Sequence, residues 1–185
     1  MRYFITGLPR SRTSWMANLM TTDNSFCFHE PVTELERHKS EISDMMDKKA
    51  IHYKNVGVSD SALPLYFEEV VKPGDNVVII ERDVDDVAVS ISESMGISLK
   101  LGMEFAEEQW QKLEELKKAL PLALSIKYEN LDDAGVTIAV MKFLTRDLYL
   151  DEDRVRRLIN TNVQVDIKRY EKTFNPKKIY DILWQ

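Results

Sequence analysis

Short apolar runs alternate along this chain with longer stretches whose apolar residues recur every three or four positions. Arg2–Thr6 is a β-rich run ending at Gly7, and Thr13–Met20 carries Trp15, Met16, Leu19 and Met20 at helical spacing. Ser25–Phe28 is a second short apolar run, closed by His-Glu-Pro, and Thr33–Lys49 has the pattern of a charged amphipathic helix. The spacing predicts a strand over Tyr53–Val58, with Ser59 and Asp60 as cap residues for a helix over Ser61–Val71. Val77–Ile80 are continuously apolar, as in a parallel strand buried on both faces. A helix follows over Asp83–Gly96 with acidic residues in its first turn, where the helix dipole favours them. Met103–Ala119 is a further amphipathic helix, and Leu122–Leu131 is a strand running into a loop. Ala134–Thr145 and Asp151–Ile159 read as helices, as does Ile167–Leu183, broken near Asn175-Pro176. Strands alternating with helices predict an α/β three-layer sandwich around a central, mostly parallel sheet. Ligands of such folds lie at the carboxyl ends of the strands. Gly7–Thr13, His29 and Glu30, Lys54–Ser59, and Glu81–Ser90 are all predicted to fall there.

Composition narrows the class. At 185 residues, 44% hydrophobic and 30% charged, the chain is expected to be one domain over residues 1–185 with its own core. A formal net charge of −6 argues against a general nucleic-acid binder and means that any anion site is assembled locally. The single cysteine, Cys27, fits a reducing compartment and is expected to be a buried bystander. No signal-peptide pattern is seen, and no apolar run reaches the ~20 residues of a membrane helix. The expectation is a cytoplasmic protein without membrane partners.

The chemistry begins in Phe4–Met20, FITGLPRSRTSWMANLM. A strand, a tight turn and a helix start aim backbone N–H groups at an anion. A kinase-type phosphate loop adds a second glycine, a lysine and a metal-binding hydroxyl. With Gly7 as first glycine, Arg12 stands at the second glycine, Thr13 at the lysine and Ser14 at the hydroxyl. The context is kept and the lysine is lost. Gly7, Pro9, Arg10, Ser11, Arg12, Thr13 and Ser14 are the candidate anion-binding residues, since arginine forks suit tetrahedral oxyanions.

GLPRSRTSW is similar to the 5'-phosphosulfate loop of sulfotransferases, the P-loop-fold enzymes that use 3'-phosphoadenosine 5'-phosphosulfate (PAPS). That loop reads Gly-x-Pro-Arg-Ser-Gly-Thr-Ser/Thr, so Arg12 replaces its usual second glycine. ERDVDDVAVS resembles the family's 3'-phosphate segment, a strand followed by Arg-x-x-x-Asp-x-x-x-Ser, with Arg82, Asp86 and Ser90 at that spacing. IKYENLDD is similar to the family's Tyr-Glu-Asp-Leu turn, in which Tyr128 and Glu129 look structural. The resemblance spans Phe4 to about Leu144. The glycine-rich cofactor loop of larger members is not found, so adenine contacts are unassigned. The resemblance implies a small sulfotransferase with PAPS as donor, 3',5'-adenosine bisphosphate as product and no metal. It implies that Arg82 and Ser90 grip the 3'-phosphate. Arg10, with backbone amides and hydroxyls, would stabilise charge on the bridging oxygen as the sulfuryl group leaves.

Transfer to a hydroxyl or amine needs a base within hydrogen-bond reach. Many members use a histidine on the strand after the loop and others a glutamate shortly after the first helix. His29 and Glu30 are adjacent here. Neighbours on a strand point to opposite faces, so only one is expected to aim at the donor. Glu30 is favoured, because its Glu-Pro ending resembles the glutamate-base branch of the family and Pro31 biases it to an extended conformation. Lys54 is a further candidate facing the donor sulfate, with a solvated edge lysine as its alternative. His38 and His52 lack metal-ligand spacing. The acceptor is a small molecule or glycan that the sequence does not identify. Two other readings stand beside this one. In a P-loop kinase or NTP hydrolase, Glu81 would end a strand next to magnesium. In a non-catalytic nucleotide-binding relative, the donor would bind without turnover.

Overall fold

The computed structural model describes residues 1–32, 38–146 and 151–159. Five strands, β1 (Arg2–Gly7), β2 (Ser25–His29), β3 (Asn55–Ser59), β4 (Asn76–Glu81) and β5 (Leu124–Lys127), form one sheet in the order β2-β3-β1-β4-β5. Every pairing is parallel. Seven helices flank it among the described residues: α1 (Thr13–Met20), α2 (Ile42–Ala50), α3 (Phe67–Val70), α4 (Val84–Met95), α5 (Leu99–Ala119), α6 (Ala134–Thr145) and α7 (Glu152–Ile159).

Alternation along the strands divides the core into two layers. Tyr3 and Ile5 of β1, with Val78 and Ile80 of β4, pack against Trp15, Met16, Leu19 and Met20 of α1 and against α6 and α7. Phe4 of β1, with Val77 and Ile79 of β4, packs on the other face against α2, α3, α4 and α5. All seven of these strand residues are buried, which is why the centres of β1 and β4 are apolar on both faces. The three-layer α/β architecture expected from the alternation is present.

The sheet's centre positions the candidate site. β1 and β4 are neighbours, yet β1 feeds α1 on one face and β4 feeds α4 on the other. Their connections part at the carboxyl ends of the two strands and leave a crevice, the usual ligand position in open parallel sheets. Gly7 closes β1 there. A Cβ on Gly7 would lie 2.5 Å from the Ile80 carbonyl oxygen, so the close approach of β1 to β4 excludes any larger residue.

Some boundaries differ from the expected ones. The helix predicted over Ser61–Val71 is a 3₁₀ turn over Leu63–Leu65 followed by the one-turn α3. Pro64 is the second residue of that turn, and Tyr66, at φ −144°, interrupts the helical path. Of the helix predicted over Thr33–Lys49, residues 33–37 lie outside the described residues, and the remainder is a 3₁₀ turn leading into α2. The helix predicted over Ile167–Leu183 also lies outside them. Among the described residues, no helix is long and apolar enough to cross a membrane.

Candidate functional site

The β1–α1 loop turns through two residues in the left-handed region, Arg10 at φ 69° and Arg12 at φ 62°. Neither is glycine, so each carries a steric cost of about 1–2 kcal/mol that the surrounding contacts must offset. Those contacts are present. The Arg82 guanidinium, just beyond β4, donates to the Arg10 carbonyl oxygen at 2.6 Å. Arg10 Nε in turn donates to Ser90 Oγ on α4 at 3.3 Å. Arg12 pairs with Asp132 at 2.6 Å. The guanidiniums of Arg12 and Arg82 lie 4.8 Å and 4.4 Å from the centre of the Tyr128 ring, both within cation–π range. Arg12 also sits 5.8 Å from the Trp15 ring.

Residues far apart in sequence thus converge on one loop. Arg82 and Ser90 reach it across 72 and 80 positions, and Asp132 across 120. Three guanidiniums gather around it, of which Arg12 has a carboxylate partner in Asp132. Among the described residues Arg82 forms no ion pair with Asp85 or Asp86, and the Asp83 side chain accepts from the Asp85 and Asp86 amides and caps α4.

The loop has the donors an oxyanion needs. The first-turn amides of α1 have no intrahelical acceptor by helix geometry. The first intrahelical bond runs from the Met16 amide to the Arg12 carbonyl. Ser11 is fully buried within the loop, and its hydroxyl has no hydrogen-bond partner among the described residues. A buried hydroxyl with no partner costs about 1–3 kcal/mol, which a bound oxyanion would offset. Pro9 stands in the turn, and Ser14 lies part-exposed in the first turn of α1. Thr13 is buried, with its hydroxyl 3.4 Å from Glu30 Oε1.

Glu30 is held differently from the expectation. It is not extended: its φ is 37°, a left-handed value that turns the chain sharply after β2. This turn brings His29 and Glu30 together instead of sending them to opposite faces, with His29 Nε2 3.7 Å from Glu30 Oε1. The Ser61 hydroxyl donates to the same Glu30 oxygen at 3.1 Å, and the Glu30 amide donates to the Ser59 carbonyl at 3.0 Å. Both base candidates therefore face one place, beside Thr13.

Lys54 does not belong to the site. It is exposed and precedes Asn55, the first residue of β3, so it lies at the amino end of the sheet. The predicted strand began at Tyr53, but pairing with β2 starts at Asn55, and the lysine falls in the turn before it.

Asp60, by contrast, belongs to the site, although the sequence suggests only a helix cap. It is fully buried, accepting from the Ala62 amide at 2.8 Å and from the Tyr66 hydroxyl at 2.7 Å. Burial pushes its carboxyl up to about 7, and the nearby charge of Glu30 adds to the rise. The hydrogen bonds from Tyr66 and Ala62, and His29, pull it back. A cap normally sits in solvent, so nothing in the sequence signals this burial. Cys27 is buried as expected, and burial pushes its thiol up to about 12, far from the range of a reactive thiolate. Among the described residues no group of histidine, cysteine and acidic side chains is arranged to hold a metal. No protein-family model matches the chain, and no curated protein matches it.

Proposed function

We propose that the chain is a small sulfotransferase that moves a sulfuryl group from PAPS to a hydroxyl or amine of an acceptor, with 3',5'-adenosine bisphosphate as the second product. One observation carries the reading. The segment resembling a 3'-phosphate site, Arg82 and Ser90, meets the segment resembling a 5'-phosphosulfate loop, through Arg82 to the Arg10 carbonyl and Arg10 to Ser90. Two motifs that are independent in sequence are joined at the crevice between β1 and β4.

In this reading the α1 first-turn amides, Ser11 and Arg10 receive the phosphosulfate end, while Arg82 and Ser90 receive the 3'-phosphate. Glu30, with His29 beside it, takes the proton of the acceptor as the acceptor's oxygen or nitrogen bonds to sulfur. The bond between sulfur and the bridging oxygen breaks in the same displacement. Arg10 and the amides then hold the charge that remains on that oxygen. Thr13 touches both the loop and Glu30, so the base candidate stands next to the transferring group. The kinase reading asks Glu81 to serve a metal. Glu81 is instead ion-paired with Lys117 of α5 at 2.7 Å, which favours a structural role.

The test is thermal unfolding with 3',5'-adenosine bisphosphate in the absence of magnesium. A ligand at 100 times its Kd adds about 2.7 kcal/mol, roughly 5–10 °C for a domain of this size. A rise with the bisphosphate alone, absent in Arg82→Ala, supports the reading. A rise only with ATP and magnesium overturns it in favour of a kinase or hydrolase.

A further inference from the structure

The 3₁₀ turn Tyr128–Asp132, which follows β5, meets the β1–α1 loop with two of its side chains. Asp132 pairs with Arg12, and the Tyr128 ring lies under the guanidiniums of both Arg12 and Arg82. The turn itself is firmly set. Leu131 is fully buried, its carbonyl accepts the Thr137 hydroxyl at 3.0 Å, and Asp133 caps α6 directly behind it. The ring is therefore carried by an anchored element, whereas each arginine is a long side chain with rotamer freedom of its own. Two like charges at 4.8 Å and 4.4 Å from one ring centre repel each other, being closer than the about 10 Å over which ~0.1 M salt screens charge. The negative face of the ring offsets that repulsion. It takes up the flat face of a guanidinium and leaves the N–H edge to an oxyanion. Arg82 keeps such a donor in reserve: its Nε is buried with no hydrogen-bond partner among the described residues.

We propose that Tyr128 is a positioning residue that fixes the spacing between the phosphosulfate loop, through Arg12, and the 3'-phosphate site, through Arg82. This rests on the reading of the crevice as a site for PAPS and 3',5'-adenosine bisphosphate. A ligand with phosphates at both ends must span that spacing, and a ligand with one phosphate need not. Tyr128 thus selects a 3',5'-bisphosphate over a 5'-monophosphate without contacting either phosphate itself.

The experiment is titration calorimetry of the full chain with 3',5'-adenosine bisphosphate and with adenosine 5'-monophosphate, in wild type, Tyr128→Phe and Tyr128→Leu. Tyr128→Phe keeps the ring, and both affinities are expected within about twofold of wild type. Tyr128→Leu loses two ring contacts worth about 2–5-fold each, so bisphosphate binding is expected to weaken roughly tenfold. The monophosphate is expected to change by no more than about twofold, so the preference between the two ligands shrinks. Equal weakening of both ligands marks a merely structural residue and overturns the proposal, as does a phenylalanine variant as weak as the leucine one. Should Tyr128→Leu not fold, the Arg82 Nε–Hε NMR signal of the wild type decides. It is expected upfield, shifted by the ring current, and still there at saturating bisphosphate. Its return to the ordinary arginine position on binding overturns the proposal. A wild type that does not bind the bisphosphate refutes the transferase reading and this inference with it. A wild type that binds, with a leucine variant that binds equally well, refutes the role of Tyr128 alone.

Discussion

Replacing Arg12 by glycine separates backbone strain from anion binding at one position. At φ 62° glycine is free of the left-handed penalty, a gain of about 1–2 kcal/mol. Against this, glycine loosens the unfolded chain, at a cost of about 0.4–1 kcal/mol. The bridge to Asp132 also goes. The two side chains are 27% and 60% exposed, so solvent screens the pair and it contributes about 0.2–1 kcal/mol. Contacts with Tyr128 and Trp15 add about 0.5–1 kcal/mol. The losses sum to about 1–3 kcal/mol, so gain and losses largely cancel, and Arg12→Gly is expected to change unfolding free energy by no more than about 2 kcal/mol. Urea denaturation measures this. Affinity for 3',5'-adenosine bisphosphate behaves differently, because a charged hydrogen bond in the site is worth about 1.5–3 kcal/mol. Titration calorimetry should show binding weakened by roughly tenfold or more, with partial recovery in Arg12→Lys. A stability loss above about 3 kcal/mol would make Arg12 a structural clamp. Unchanged affinity in a folded Arg12→Gly would remove it from the anion site.

Three further outcomes follow from the same geometry. Arg82→Ala leaves the Arg10 carbonyl without its donor, so urea denaturation should show a loss of about 1–3 kcal/mol, and calorimetry the loss of bisphosphate binding. Gly7→Ala drives a methyl into the Ile80 carbonyl, and denaturation should show a loss above about 2 kcal/mol, since backbone rather than a flexible side chain must give way. Asp60 has a raised carboxyl when folded, so the folded state holds more protons than the unfolded chain between about pH 4 and pH 7. Its contribution to stability is complete below that window and is lost as pH rises through it. Asp60→Asn should therefore flatten stability against pH across the window and raise it above neutral pH, as measured by chemical denaturation in a series of buffers.

The parts legible in the sequence are those whose signal is local. β1 and β4 announce themselves because the centres of strands covered on both faces are apolar at successive positions. The loop and Arg82 follow because each stands directly after such a strand. What the sequence could not convey is set by long-range contact. Asp132 meets Arg12 across 120 positions, and nothing near either residue marks the pairing. Asp60 looks like an ordinary cap because its burial depends on Tyr66 and on the end of β2. Glu30 was expected to be extended from the proline rule. The amide bond to Ser59 and the hydroxyls of Thr13 and Ser61 hold it in a turn the rule disfavours. Lys54 lies at the amino end of β3 because the strand starts at Asn55, away from the carboxyl ends where the other candidate residues gather.

Ser59 links the start of α1 to Glu30 through a single residue. Its hydroxyl holds the carbonyl of Thr13, and its carbonyl holds the amide of Glu30. α1 and Glu30 therefore belong to one cooperative unit of local unfolding. Opening that frees one releases the other, and amide hydrogen exchange at Glu30 and along the start of α1 should share a common opening free energy. In the proposed transferase, motion that admits an acceptor is then carried by chain beyond this unit, and the β1–α1 loop and Glu30 keep their mutual alignment while it occurs.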